Sequence, residues 1–316
     1  MLFEQRIAVV VPCHNEQMLI RTVIETMPAS IDRIFVVDDE STDSTASVVQ
    51  EYVDAQPDRV VLIRHEVNQG VGGAIATGYK AALAERFDVT VVMAGDAQMD
   101  PDELPEIVGP VARGECDYTK GNRLFSGEAW NMIPRVRYLG NAMLSLLTKI
   151  ASGYWHVADS QSGYSAISLK ALETIDWDQM YKRYGQPNDL LVRLNIHGFR
   201  VRDVPIRPIY GIGEKSGIRP LRMIPRLFLL LTQLFWYRMV QKYVIRDFHP
   251  LLFFYAFGVG LFTPGLLLGL YLFMKRLIVG PIAPTSAMFA VFLFITGMQL
   301  LLFAMWMDME NNRHLR

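Results

Sequence analysis

Asp96 and Gln98 are the residues whose types and spacing point most directly to chemistry. They lie in Gly95-Asp96-Ala97-Gln98, just past an apolar run at residues 89–94, with Asp100-Pro101 following. A carboxylate and an amide oxygen two residues apart are hard oxygen donors. They suit a small divalent cation, Mg²⁺ or Mn²⁺, that also carries phosphate oxygens. The same turn suits a plain helix cap. Asp38, Asp39 and Asp43 form a second acidic stretch, and Asn15-Glu16 opens a third, each with the same two readings. Asn68-Gln69-Gly70-Val71-Gly72-Gly73 could cradle phosphate at a helix start. It is not G-x-G-x-x-G and follows the third strand, which favours a packing role.

Residues 7–11, 34–37, 60–64 and 89–94 are short apolar runs, and helical patterns at 16–27, 44–52 and 72–85 separate them. This alternation predicts a parallel, doubly wound α/β sheet. Pro12 ends the first strand. Crossover connections then place the strand-end loops on one edge. Residues 12–16, 38–43 and 95–100 therefore converge, outside the carboxyl ends where such sheets bind ligands. Further on, the pattern predicts a strand at 117–119, a helix from Pro134 to about Ile150 and a strand-like alternation at 199–206.

The chain has 316 residues, enough for about two domains. A formal net charge of −1 gives no global basic field for nucleic acid. Cys13 and Cys116 form neither a metal-ligand spacing nor a disulfide framework, which fits a reducing compartment. The N-terminus does not read as a signal peptide.

VVVPCHNE, FVVDDESTDST, NQGVGGA, VMAGDAQMDP and DSQSGYSAIS follow one another in the order and spacing of family-2 glycosyltransferases. Over residues 5–220 the chain resembles that family, and most of all the branch that loads sugars onto polyprenyl phosphates. The resemblance implies a GT-A, Rossmann-like nucleotide-sugar fold and an inverting, metal-dependent hexosyl transfer. The donor would be a UDP- or GDP-linked sugar and the acceptor an undecaprenyl or dolichyl phosphate. Pro12, His14, Glu16, Val37 and Asp39 would hold the base and ribose. The family's D-x-D motif falls on Ala94-Gly95-Asp96, so Asp96 and Gln98 are the implied metal ligands, with Gly95 beside the donor. Ala94 stands where the first aspartate would be.

Arg123 resembles the family's basic position beside the diphosphate, and Asp159, in the D-x-x-S-G-F-like block, lies near the reacting centre. A phosphate acceptor is already ionised, so Asp159 orients the acceptor or a lysine rather than taking a proton. The glycine-flanked loop at 211–217 offers Lys215, and then Arg207, to close on the diphosphate. Arg135 and Arg137 open a helix, which disfavours cations unless an anion faces them. Arg135 is the residue expected to meet the lipid phosphate. Asn188-Asp189 falls where transferases to hydroxyl acceptors often carry a base, and it reads equally as a helix cap. The rival readings are a transferase to a lipid or polysaccharide hydroxyl, and an inactive nucleotide-sugar-binding subunit.

Residues 251–274 and 285–307 carry no charged side chain. Each would span about 35 Å as a helix, enough for a bilayer core of about 30 Å. Before them, Arg222 and Arg226, then Arg238, Lys242 and Arg246, are spaced to stack on one helix side. This predicts helices in the membrane interface, basic side toward anionic headgroups, with Pro220 and Pro225 dividing them. The expected organisation is a transferase domain at 1–217, juxtamembrane helices at 218–248 and a two-span hairpin at 249–316. The α/β domain is expected to be complete without residues 247–316. The cations from Arg219 to Arg246 outweigh Lys275 and Arg276, which places the catalytic domain on the cytoplasmic side of the cell (inner) membrane. A homo-oligomer is compatible with this organisation.

Overall fold

The computed structural model describes residues 3–124, 135–207, 209 and 220–316, with backbone alone at 135–139, 141 and 220–223. Lys215, Arg219 and the 211–217 loop lie outside these residues, as do the side chains of Arg135, Arg137 and Arg222. In chain order the elements begin β1 (Ile7–Cys13), α1 (Ile20–Glu25), β2 (Arg33–Asp38), α2 (Thr45–Ala55), β3 (Val60–Arg64), α3 (Val71–Ala84) and β4 (Val89–Val92). They continue with α4 (Leu104–Ala112), β5 (Tyr118–Asn122), α5 (Arg135–Ser152), β6 (Ser165–Ser168), α6 (Leu169–Thr174), α7 (Gln186–Ile196) and β7 (Val201–Pro205). Three long helices follow: α8 (Pro220–Val240), α9 (Leu251–Ile278) and α10 (Pro284–Asn311).

The seven strands form one sheet in the order β3-β2-β1-β4-β6-β5-β7. The first four strands in sequence are parallel, as their alternation with helices predicts. The sheet as a whole is mixed, because β6 runs antiparallel to both β4 and β5. β1 is buried along its whole length. Ala8 and Val10 face one core cluster, while Ile7, Val9 and Val11 face the other. A central strand covered on both faces needs an unbroken apolar run. Pro12 does not end β1. It lacks an N–H, but its carbonyl accepts from Gly95 N–H at 3.1 Å, and the strand runs to Cys13.

By compactness the chain divides into Met1–Trp236 with Leu315–Arg316, and Tyr237–His314. In the first unit, α8 packs Leu227, Leu230 and Leu234 on Val192 and Ile196 of α7. Pro225 does not divide this segment; α8 starts at Pro220 and continues through it. Leu315 is buried in the same core cluster as Tyr154, Val157 and Phe199. The α/β domain is therefore not complete without the tail: a residue beyond the second long helix fills part of its core.

In the second unit, α9 and α10 are each 28 residues long and apolar enough to cross a membrane. They meet through small residues. A Cβ on Gly265 would lie 2.5 Å from Phe294 N, and one on Gly297 2.2 Å from Phe262 N. Backbones approach this closely where glycine removes the side chain. The expected basic stripe does not form. Residues Gln241–Arg246 are π-helical, which breaks the four-residue register. Arg238 is fully buried and grips both oxygens of Asp308, while Lys242 Nζ donates to Asn312 Oδ1 at 2.6 Å. Arg246 alone of the three stays exposed.

Candidate active site

The carboxyl ends of β1, β2 and β4 bring three loops together. β1 and β2 stay in register to Cys13 and Asp38. Asp39 N–H donates to Cys13 O at 2.9 Å. A Cβ on Gly95 would lie 2.8 Å from Cys13 Cβ, so glycine lets the Asp96 turn rest against β1. Asn15, at φ 59°, ties the first loop to the second: its Oδ1 accepts from Thr42 N–H at 2.8 Å, and its own N–H donates to Ser41 Oγ at 2.9 Å. Glu16 N–H donates to Thr45 Oγ1 at 2.9 Å. His14 Nδ1 donates to Asp39 O at 2.8 Å.

Negative charge accumulates along this edge. Burial, then the charges of Asp96 and Asp43, push the Glu16 carboxyl up to about 7. Asp96 Oδ1 accepts from Gln98 N–H at 3.1 Å across Ala97, which takes a left-handed φ of 56°. The turn thereby folds the Asp96 carboxylate back onto the Gln98 main chain. Among the described residues, no three His, Cys, Asp or Glu side chains group to hold a metal by themselves. Asp96 and Gln98, in the field of Glu16, are oxygen donors that could hold a divalent cation.

Asp39 is spoken for within the protein. It is buried, and it accepts from Gln69 N–H at 2.8 Å and Gly70 N–H at 2.7 Å. A carboxylate only accepts, so His65 carries its proton on Nδ1 and donates to Asp39 Oδ1 at 2.8 Å. His65 Nε2 lies 2.9 Å from Thr77 Oγ1. The glycine-rich turn held this way packs against the protein. A Cβ on Gly72 would lie 2.4 Å from Tyr181 O, and Gly73 N–H donates to Lys182 O at 3.0 Å. Val37 and Pro12 are buried opposite each other, Val37 within the core.

A second cluster lies on β5, β7 and the segment before β6. Arg123 donates from Nε to Asp159 Oδ2 at 2.7 Å and from Nη2 to Oδ1 at 3.1 Å. Burial would raise the Asp159 carboxyl, but the Arg123 hydrogen bonds and charge, with Lys120, hold it below the usual range. Tyr164 O–H donates to Asp100 O at 3.0 Å, joining this block to the Asp96 loop. Gln98 O accepts from Ile209 N–H at 3.2 Å, and Arg207 N–H donates to Glu103 Oε1 at 2.8 Å. Arg207 itself is exposed.

The strand expected to stop at Thr119 runs on to Asn122, so Lys120 and Asn122 are buried strand residues. Lys120 Nζ donates to Ser162 O. Burial lowers its ammonium to about 8, against the charges of Asp159 and Asp203. Asp203, on β7, accepts from Asn122 Nδ2 and Ala158 N–H. Burial pushes its carboxyl up to about 6. Sequence reasoning gave Asp203 no role, and from Lys120-Gly121-Asn122-Arg123, the stretch that resembles the family's basic position, it carried only Arg123 forward; the only signal for Lys120, Asn122 and Asp203 singly was their polarity within or beside strand-like runs. Asn188-Asp189 is not the cap of α7, which is Gly185. Asp189 instead accepts from Tyr181 N–H at 2.8 Å and pairs with Arg193 at 2.9 Å.

Residues 8–176 match the glycosyl transferase family 2 model. The UDP-N-acetylglucosamine–dolichyl-phosphate N-acetylglucosaminyltransferase of Methanococcus voltae is 30% identical over 66% of this chain and 87% of that protein. The polyprenol monophosphomannose synthase of Mycolicibacterium smegmatis is 29% identical over 67% and 82%. The undecaprenyl-phosphate mannosyltransferase of Micrococcus luteus is 29% identical over 64% and 82%. In fold, the chain is similar to glucosyl-3-phosphoglycerate synthase from Mycobacterium tuberculosis, crystallised with Mn²⁺ and UDP. The TM-score is 0.52 at 21% identity, over 74% of this chain and 80% of that one. With its mixed GT-A-like sheet and its matched sequence blocks, the chain belongs to glycosyltransferase family 2.

Proposed function

We propose that this glycosyltransferase moves a sugar from a UDP- or GDP-linked donor to a polyprenyl phosphate at the membrane surface. The observation that carries the acceptor assignment is the state of its carboxylates. Both oxygens of Asp159 are held by Arg123, and both oxygens of Asp189 by Tyr181 N–H and Arg193. Asp159, held below the usual carboxylate range by Arg123, is a weak general base, which a hydroxyl acceptor would need; burial raises the Asp189 carboxyl, but both its oxygens are already taken. A phosphate acceptor arrives ionised and needs orientation and charge stabilisation instead. The three relatives named above carry dolichyl-phosphate, polyprenol-monophosphate or undecaprenyl-phosphate chemistry in their names, which supports the same acceptor class.

In this reading Pro12, His14, Glu16, Val37 and Asp39 shape the base and ribose site, with Asp39 acting through the loop it fixes. Gly95 gives the diphosphate room beside Asp96 and Gln98. A divalent cation held by those two residues, Mg²⁺ or Mn²⁺, would screen the diphosphate charge as the bond to the sugar breaks. Arg123, Arg207 and Lys215 add positive charge on the leaving side. Arg135 grips the acceptor phosphate, and Asp159 keeps Arg123 oriented. One acceptor oxygen attacks the anomeric carbon in line, with inversion, and the nucleoside diphosphate departs.

Residues 1–217 carry transfer, 218–248 link it to the bilayer and 249–316 anchor it. The catalytic unit faces the cytoplasmic side of the cell (inner) membrane, following the cations on α8 and just after it. The test uses membranes containing the full chain, labelled UDP-N-acetylglucosamine, UDP-glucose and GDP-mannose, and undecaprenyl phosphate. The expected product is a glycolipid labile to mild acid. Asp96→Ala or excess chelator should abolish it. Equal transfer to undecaprenol would overturn the acceptor, full activity in chelator would overturn the cation, and no transfer from any donor would favour an inactive binding subunit.

A further inference from the structure

Asp203 lies on β7, and both halves of the Arg123–Asp159 pair hang on it. Its Oδ2 accepts from Asn122 Nδ2 at 3.1 Å and from Ala158 N–H at 2.7 Å. Asn122 immediately precedes Arg123, and Ala158 immediately precedes Asp159. Asn122 also accepts at Oδ1 from Leu124 N–H at 2.9 Å, so its side chain braces the turn that carries Arg123 from both sides. One carboxylate oxygen therefore fixes the backbone position of the two residues that must meet. The other oxygen, Oδ1, is buried with no hydrogen-bond partner among the described residues. Burying an unsatisfied carboxylate oxygen costs stability, so packing alone does not favour an aspartate here.

The geometry it protects is demanding. Arg123 meets Asp159 through two parallel N–H···O bonds, and Asp159 Oδ2 also accepts from Arg123 N–H at 3.2 Å. Bidentate pairing fixes the guanidinium plane, so a small shift of either backbone turns the arginine away from its ligand. β5 and β7 are parallel neighbours, with Lys120 opposite Asp203. The strand pairing alone sets the height of the two loops. From within this ladder the Asp203 side chain reaches Asn122, the last β5 residue of the ladder, and Ala158, which lies in no strand, and so ties the two loops to each other.

We propose that Asp203 is a positioning residue for sugar transfer: it holds Arg123 and Asp159 in register by tying down the residue ahead of each. This rests on the reading that the pair acts at the transfer centre. Asp203 acts only through that pair and is not a catalytic residue.

The test uses the purified full chain in detergent, undecaprenyl phosphate, and whichever of UDP-N-acetylglucosamine, UDP-glucose or GDP-mannose is turned over. Asp203→Ala should lower kcat by about 10²-fold, the usual scale for misplacing a reacting group by about 1 Å. The KM for the nucleotide sugar should stay within about threefold. Asp203→Asn keeps an acceptor oxygen and should recover most of the loss. If the alanine variant does not fold, Asn122→Ala cuts the Arg123 arm alone and should lower kcat in the same direction. In an Asp159→Asn background, Asp203→Ala should add less than about a twofold loss, because both changes act on one unit. A structural role would lower the Tm while leaving kcat per folded enzyme unchanged, and its losses would multiply. Normal kcat in Asp203→Ala or Asn122→Ala, or multiplying losses, overturns the positioning role. Normal kcat in Asp159→Asn, or no transfer from any donor, overturns the reading beneath it.

Discussion

Two arginine–aspartate pairs in this molecule are both bidentate, Arg123 side-on through Nε and Nη2 and Arg238 end-on through its two Nη atoms, and they differ in their surroundings. Arg123 meets Asp159 at 2.7 and 3.1 Å, and Arg238 meets Asp308 at 2.8 and 2.9 Å. The side chain of Arg123 is 29% exposed, whereas both members of the second pair are 0% exposed. Asp308 also accepts from Tyr243 O–H at 2.6 Å and Asn312 Nδ2 at 3.0 Å. A sealed pair with its carboxylate saturated offers nothing to a ligand. It fastens the end of α8 and the π-helical turn to the end of α10. The half-open pair anchors a guanidinium by one edge and leaves part of it facing solvent, which suits an anion that arrives and leaves. Identical chemistry thus serves fastening in one place and orientation in the other, and burial decides which.

The largest effect should come from breaking the sealed pair. Asp308→Ala strands a buried guanidinium, which typically costs about 3–5 kcal/mol. Thermal unfolding in detergent should show it. The double variant Arg238→Met with Asp308→Leu should recover most of the loss, since an apolar replacement removes both charges at once. If Asp308→Ala were as stable as the parent, the pair would not be a fastening. Transfer per folded molecule should change little in either variant.

Asp159→Asn should do the reverse. Losing the carboxylate that orients Arg123 is expected to lower kcat by about 10²–10³-fold, equivalent to about 2.7–4 kcal/mol of transition-state stabilisation. Donor binding should be nearly unchanged. An equal fall in kcat from Asp308→Ala would erase the distinction between the two pairs. A smaller effect is expected at Leu315. Truncating this buried leucine to alanine should cost about 2–3 kcal/mol of the α/β unit's stability, within the usual range for a core leucine. Limited proteolysis between β5 and β7 would report it; unchanged protection would mean that the tail packs without stabilising.

Much of this architecture is legible in the sequence, and the exceptions share a cause. The four parallel strands, the convergence of their loops and the two long apolar helices follow from local apolar period and from where glycine and aspartate fall. The Asp96-Ala97-Gln98 turn was readable because its residues are adjacent. β6 was not: Ser165-Ala166-Ile167-Ser168 is short and half polar, and its antiparallel direction is decided by its neighbours. Lys120 and Asn122 fell outside the strand expected at 117–119 because polar side chains in mid-sheet need partners that only the fold supplies, here Ser162 and Asp203. The basic stripe failed for the same reason. Asp308 lies 70 residues from Arg238, and no local pattern announces the pairing.

The remaining expected effect is one of pH, and it probes the half-open side of the comparison through Asp203. Its carboxyl has an ordinary value of 3.8, raised by burial to about 6, while Ala158 N–H and the Lys120 charge pull the other way. Lys120 on β5, Asp159 ahead of β6 and Lys149 on α5 are the charged groups that act on it. Between about pH 4 and pH 6 the folded state binds more protons at this site than the unfolded state does. The contribution to stability is therefore full below pH 4 and is lost as pH rises through 6. Its slope can reach about 1.4 kcal/mol per pH unit. Asp203→Asn carries no titrating group, so the Tm of the parent should fall relative to that variant from pH 4 to pH 6 and run parallel above pH 7. The Glu16 carboxyl, also raised, tilts both proteins alike and cancels in the difference. A parent-minus-variant gap that stays flat from pH 4 to pH 7 would mean that Asp203 ionises as an ordinary surface aspartate, and that the buried brace beneath Arg123 and Asp159 carries no strain.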